Sequence, residues 1–424
     1  METTAPAPYQ FKVADPFFAL GVLMYIASRL MDTYYNFPIA DLILPLMTFA
    51  FAAKDKALVD FGKVPAIIPA SLFIVWSIIS NFHHGIHVAD QLRNLIALIT
   101  LFLPVFFFIL TKNRDALMSY LIGNIVGFLL YFTTLVGLEF AQSGDIPRYL
   151  RGEQPTPVVA LAMYVLFRKQ LTWPIKAVLL AGTVISILVT FKIDARGPLI
   201  ALPMAVVFFI VVRYSIWPRL AIPAFVAGGL VIHFIASLFN NGNFDLVAGS
   251  ANDTLSNLER AYAIDYCRMI LSHFPWLGDS PQNYAINFSD SFAYIAGFSE
   301  EGDRILSPHN SFLEYSVFFG YPAGILFVLT IGTLMYAALR EKPFARSFFV
   351  ALAAAGVIRI GAFYGFSGWL RVEWFALIFA MYYNYQLSRQ SIVTAPTVFS
   401  GNVPLARLSP QAVQDLARQK HRKA

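Results

Sequence analysis

The run Leu199-Ile200-Ala201-Leu202-Pro203-Met204-Ala205-Val206-Val207-Phe208-Phe209-Ile210-Val211-Val212 has no polar side chain in any register. A barrel strand alternates apolar and polar residues over about ten positions, so a segment apolar on every side reads as a membrane helix. Similar runs recur from Phe17 to Leu387, near 16–32, 38–53, 64–80, 93–111, 116–138, 155–167, 173–191, 198–213, 218–239, 309–339, 345–364 and 370–388. They predict an all-α polytopic transmembrane bundle of about twelve helices, with 155–167 short for a bilayer.

Composition agrees with that reading. Of 424 residues, 58% are hydrophobic and 13% charged, and mean hydropathy is +0.61, whereas soluble domains are about a quarter charged. A soluble enzyme, a disordered chain and a collagen-like chain are excluded. The single cysteine, Cys267, excludes an intramolecular disulfide and a cysteine-built metal site. No basic region or small-residue cleavage site precedes the first apolar run, which is therefore expected to stay as a helix. P-loop, serine-nucleophile and nucleic-acid modules are all lacking.

Basic residues orient the bundle. With the N-terminus inside, the inner connections carry Lys54, Lys56 and Lys63, then Lys112 and Arg114, then Arg168, Lys169 and Lys176, then Arg213 and Arg219, then Arg340, Lys342 and Arg346. The tail residues Arg418, Lys420, Arg422 and Lys423 join them. The outer connections hold fewer, mainly Arg93, Arg148, Arg151, Lys192, Arg196 and Arg371, so both termini are expected to be cytoplasmic. The one long polar stretch, 240–308, then lies outside with a balance of −6. The spacing of Leu255, Leu258, Tyr262, Tyr266, Met269 and Ile270 predicts an amphipathic helix in it. The expected organisation is transmembrane helices over 1–239, an external helical cap over 240–308, further transmembrane helices over 309–391 and a basic cytoplasmic tail over 392–424.

Ser307-Pro308-His309-Asn310 opens the span that runs through Gly320, Pro322 and Gly324 to Leu339. Ser307 suits an N-cap and Pro308 the first helical position, which puts His309 in the first turn. There the helix dipole disfavours imidazolium and leaves a neutral ring able to accept a proton. A helix from His309 to Leu339 would exceed the hydrocarbon thickness, so a bend is expected at Pro322. Gly320 and Gly324 read as a packing surface rather than as chemistry.

Arg196 stands before Gly197-Pro198 where another span begins, and Arg260 follows Glu259 in the cap. Taken singly, each reads as an interfacial or ion-paired arginine. The charge count nevertheless puts Arg196, Arg260 and His309 on one face, and two planar guanidinium forks are what a diphosphate ester requires. Arg359 lies inside an apolar span, as a third phosphate contact or as a buried partner for Asp41. His83, His84 and His87 read as a short polar loop rather than as metal ligands.

The spacing from His309-Asn310 to Gly320 resembles the motif of the O-antigen ligase and polysaccharide polymerase family, membrane glycosyltransferases that use undecaprenyl-diphosphate-linked glycans. Arg196-Gly197 at a span start is similar to the family too, as is Arg260 fifteen residues before Pro275, with Gly278 beyond it. The resemblance covers roughly residues 185–335. The family's last motif often ends Gly-x-x-Gly, whereas Gly320 and Gly324 are one residue further apart.

The resemblance implies a GT-C-like bundle in a bacterial inner membrane with its site facing the periplasm. It implies that Arg196 and Arg260 hold the donor diphosphate and that His309 activates the acceptor hydroxyl; the residues themselves add Asn310, whose amide can orient the ring or the acceptor, and Arg359 as support. It further implies inverting transfer with no metal or cofactor. The acceptor is lipid A-core for a ligase or a growing glycan for a polymerase, the latter with a chain-length regulator as a further partner. From the other classes, a polysaccharide or lipid flippase would place its charges near the midplane of repeated halves, and these halves look unlike. A non-catalytic assembly protein is the third reading.

Overall fold

Asp15 starts the first helix, accepting from the N–H groups of Phe17 (2.9 Å) and Phe18 (3.4 Å) while Pro16 takes the first helical position. The computed structural model describes residues 9–30, 39–147, 150, 155–193, 206–207, 263–284, 310–339, 348–363 and 370–393. In chain order the helices are α1 (Pro16–Leu30), α2 (Ile39–Lys54), α3 (Ile67–His83), α4 (Val88–Leu110), α5 (Arg114–Ser143), α6 (Pro157–Phe167), α7 (Trp173–Lys192) and α8 (263–273). They continue as α9 (Ser311–Phe319), α10 (Tyr321–Leu339), α11 (Phe348–Phe363) and α12 (Leu370–Val393). Residues up to 385 form one compact unit, and of the second, 386–424, the described part is helical. Among the described residues no strand forms beyond an isolated Phe11–Leu171 bridge.

The chain is a helical membrane protein. Among the described residues, Val88–Leu110, Arg114–Ser143, Trp173–Lys192 and Tyr321–Leu339 are long and apolar enough to cross a bilayer. The spans expected at 198–213 and 218–239 fall outside the described residues, apart from 206–207, as does the tail from 394.

Several boundaries move for local reasons. α4 begins at Val88 rather than 93 because His87 caps it, with Nδ1 accepting from the Ala89 N–H at 3.4 Å. α5 runs on to Ser143 and stops where Gly144 turns left-handed at φ 69°. The expected single helix over 309–339 is two, α9 and α10. Its break is at Gly320, not Pro322, which sits in the first turn of α10 where a missing N–H costs nothing.

α1 and α5 approach with backbone almost touching backbone. A Cβ at Gly21 would lie 2.2 Å from the Tyr120 carbonyl oxygen, and one at Gly123 the same distance from that of Phe18. Small residues at such crossings let helices gain dispersion contacts where lipid offers no hydrophobic contrast. Connections sort to two ends. At one, Asp55 accepts from the Lys112 N–H (2.6 Å) and Thr111 Oγ1 (3.2 Å), and Tyr383 donates to Asp115 at 2.5 Å. The Lys112 N–H, helped by Thr111, holds the Asp55 carboxyl below its usual range. At the other end Lys192 bonds Asp145 at 3.0 Å, and the segment 263–284 packs on α3 and α9.

Gly137, also in α5, has open space where a Cβ would go. Thermal unfolding in detergent should therefore separate two otherwise identical changes. Gly137→Ala is expected to be neutral or to stabilise by up to about 1 kcal/mol through helix propensity. Gly123→Ala is expected to lower the midpoint by forcing α1 from α5.

Candidate functional site

α9 is nine residues long, and every one of its terminal carbonyls has a donor. Ser316 O accepts from the Gly320 N–H at 2.7 Å, Val317 O from Asp279 N–H at 2.8 Å and Phe318 O from Ser280 N–H at 2.9 Å. Phe319 O accepts from the indole Nε1–H of Trp76 at 2.9 Å. A helix end ordinarily leaves these four oxygens to water or caps. Here Gly320, the C-cap of α9, takes the first, and the segment after α8 and one side chain of α3 take the other three.

Pro275 and Gly278 shape that segment. The Phe274 N–H still bonds Ile270 O at 2.8 Å, and Gly278 then turns the chain with φ 64°, its N–H on Phe274 O at 3.0 Å. A Cβ on Gly278 would stand 2.5 Å from Val317 O. Gly320, at φ 87°, is more confined, because its Cβ would stand 1.9 Å from Trp276 O. Its carbonyl accepts the first bonds of α10, from Ala323 (3.1 Å) and Gly324 (3.4 Å), while the Tyr321 N–H crosses to Pro275 O at 2.8 Å. A Cβ on Gly324 would meet Ser316 Oγ at 1.9 Å. These glycines are a backbone interlock, and Gly320 and Gly324 serve separate contacts; the extra residue between them relative to Gly-x-x-Gly is thereby accommodated.

The interlock leans on α3. The Trp76 indole N–H is shared with Trp276 O at 3.1 Å, Ser80 Oγ donates to Leu277 O at 2.5 Å, and His84 Nε2 lies 3.4 Å from the same oxygen. Asn94 of α4 adds a bond to Gln282 at 3.3 Å. Beneath, Ala263, Ile264, Cys267, Ile270 and Leu271 of α8 form a core with Tyr284 and with Leu313 and Val317 of α9. Met269, expected on the apolar face, is 49% exposed, since the buried stripe runs through Ala263 and Cys267 instead. Burial pushes the Cys267 thiol up to about 12.

Asn310 is the N-cap of α9, its Oδ1 accepting from the Leu313 N–H at 3.0 Å, and it is buried. The helix therefore starts at Ser311, three residues beyond the first helical position expected at Pro308. Arg196, Arg260 and His309 lie outside the described residues.

Arg359 of α11 is buried and donates to Thr156 Oγ1 at 2.7 Å. That hydroxyl donates to Glu373 Oε2 at 2.9 Å, and the Thr156 N–H bonds Oε1 at 2.7 Å, so a carboxylate from α12 caps α6 from outside. The cation acting on Asp41 is Arg371 rather than Arg359, and it acts on Glu314 of α9 as well. Among the described residues both oxygens of Asp41 and Oε2 of Glu314 are buried without a hydrogen-bond partner. Buried charges are costly in a membrane bundle and mark sites that hold it together or do chemistry. Sequence reading passed over Glu314, Glu373 and Trp76. The carboxylates inside apolar helices were the available signal.

Residues 181–328 match the family described as O-Antigen ligase. Comparison with curated proteins finds no match. The matched span contains Arg196, Arg260, His309, Asn310, Gly278 and Gly320, but not Trp76, Ser80 or Arg359.

The cap role of Asn310 sets an expectation. Asn310→Asp or Asn310→Ser should keep the bond to the Leu313 N–H and near-parental thermal stability, whereas Asn310→Ala should cost about 1 kcal/mol. Equal loss in all three would show that the amide acts beyond capping.

Proposed function

By residues 181–328 the chain belongs to the O-antigen ligase and polysaccharide polymerase family, and from that premise we propose that it transfers an undecaprenyl-diphosphate-linked glycan to a sugar hydroxyl on the periplasmic face of a bacterial inner membrane. Arg196 and Arg260 hold the diphosphate. His309 takes the acceptor proton as the acceptor oxygen bonds the anomeric carbon and the carbon–oxygen bond to the diphosphate breaks, with inversion. Two fixed guanidinium groups stabilise the charge building on the leaving oxygens. Asn310 supports the site by capping α9, and Arg359 by holding α11 to the Thr156 cap of α6, which Glu373 of α12 also binds.

The observation that carries the reading is the tie between the family's motif positions. Pro275, Gly278 and Gly320 meet in one backbone interlock, and it joins the segment that follows Arg260 to the helix that follows His309. Ligation onto lipid A-core and polymerisation of repeat units, the latter with a chain-length regulator, share this donor chemistry and differ in acceptor. Surface glycans of a deletion strain separate them on a gel. Lipid-linked polymer without attachment identifies a ligase, and single repeats on capped core identify a polymerase.

With purified protein and lipid-linked donor, His309→Ala should lower transfer by about 10²–10⁴-fold with donor binding retained. Arg196→Lys and Arg260→Lys should weaken donor binding because an ammonium lacks the bidentate fork. Parental rates in all three variants would remove these residues from the site.

The side of the membrane is read separately. Cys267 is buried and its thiol protonated, so a membrane-impermeant maleimide should react with the native protein only slowly. Met269→Cys, at an exposed position on α8, should label in intact spheroplasts. Labelling only after lysis would reverse the topology.

A further inference from the structure

Two side chains of α3 close the interlock, and both lie outside the span that matches the family. Trp76 puts one indole N–H between Phe319 O (2.9 Å), the last carbonyl of α9, and Trp276 O (3.1 Å), in the turn after α8. One turn further along α3, Ser80 Oγ donates to Leu277 O at 2.5 Å and stands 3.5 Å from Phe318 O. Each residue thus touches both partners of the interlock, from a helix that belongs to neither. α3 is itself fixed: Phe73 is fully buried against Phe102 of α4, with ring centroids 5.8 Å apart, and against Tyr315 of α9 at 5.2 Å.

We propose that Trp76 and Ser80 are positioning residues for glycan transfer, clamping the turn at 276–277 onto the end of α9 so that the cap and the helix after His309 keep one relative setting. The inference rests on the transferase reading above. Neither residue meets substrate. They act by holding in place the two segments whose neighbours in sequence, Arg260 and His309, perform the chemistry. Without the clamp, Phe319 O and Leu277 O lose donors. Both bonds are part-buried and His84 Nε2 stays 3.4 Å from Leu277 O, so their loss shifts an opening equilibrium by up to about tenfold. Transfer then slows because donor and base are aligned for a smaller fraction of the time, while a donor already bound keeps its contacts.

Trp76→Phe removes the N–H and keeps a ring, and Ser80→Ala removes only the hydroxyl. The native Cys267 reports on the clamp without any reference to activity, because it sits in the core shared by α8 and α9 and is the chain's single cysteine. In the double variant, with helicity and membrane level checked against the parent, maleimide labelling of Cys267 should speed up by about tenfold. The kcat for transfer should fall by a similar factor with donor KM nearly unchanged; Ser80→Ala alone should move both readouts part of the way, and Ser80→Thr alone, which keeps the hydroxyl, should leave both near the parent. Loss of transfer with Cys267 still protected would overturn the positioning role, since the residues would then be acting on substrate. Faster labelling with parental kcat would overturn it as well, because the clamp would be shown irrelevant to transfer. A parent that transfers no glycan from lipid-linked donor would refute the transferase reading and the functional half of the proposal. The labelling arm would still decide whether α3 holds the cap.

Discussion

The last turn of a helix leaves four carbonyl oxygens without intrahelical partners, and in a membrane bundle protein must supply most of the donors. For α9 that constraint governs the whole cap end. A helix of nine residues rises only about 13 Å, far short of a bilayer, so it must stop inside the protein. Stopping there requires donors from elsewhere. Asp279, Ser280 and Trp76 provide them for Val317, Phe318 and Phe319, while the helix's own C-cap, Gly320, serves Ser316. Because two of those donors are backbone N–H groups of the segment after α8, that segment is not a lid resting on the bundle. It is the termination of α9, and it cannot leave without exposing the oxygens it satisfies.

The close fit dictates the residue types. Gly320 has to reverse the chain at positive φ with Trp276 O where its side chain would be, and Gly278 faces Val317 O under the same two restrictions. Any L residue other than glycine would meet both obstacles at once. Ser280 also has φ 68°, and it is tolerated with its hydroxyl accepting from the Asn283 N–H at 3.2 Å. Of the two glycines that sequence alone reads as helix–helix packing, Gly324 does pack α10 on Ser316 and Phe312 of α9, whereas Gly320 makes a turn-against-turn contact that is invisible without knowing that the segments meet.

Apolar runs made the bundle legible, because a membrane helix is written in consecutive residues. α1, α2, α6, α7 and α12 begin within two residues of where hydropathy puts them. The ends that shift are set by single residues whose effect depends on conformation, as with His87 capping α4 and Gly320 dividing α9 from α10. The partnerships were less legible. Arg359, Thr156 and Glu373 are separated by more than two hundred positions between bonded members, and nothing in the chain tells Arg359 to choose Thr156 over Asp41. Long-range pairing of buried charges follows from which helices become neighbours, and sequence periodicity carries no record of it.

Diphosphate chemistry explains why such investment in rigidity suits the proposed activity. Stabilising a leaving diphosphate depends on cations already in place, because reorganising them during the reaction would consume the energy they are meant to supply. A misplacement of about 1 Å can cost about a hundredfold in rate. Arg260 stands three residues before the described start of α8 and His309 immediately before the cap of α9, and between them lie 48 residues of chain. Left to the chain alone, the two would wander relative to each other. The interlock shortens the mechanical path to the two helices and the turn that joins them, and α3 adds a fixed support from the opposite half of the sequence. For the proposed transfer, a cap tied in this way would keep the segments next to charge and base in one frame, and the glycan, which must enter and leave each time, would be the part that moves.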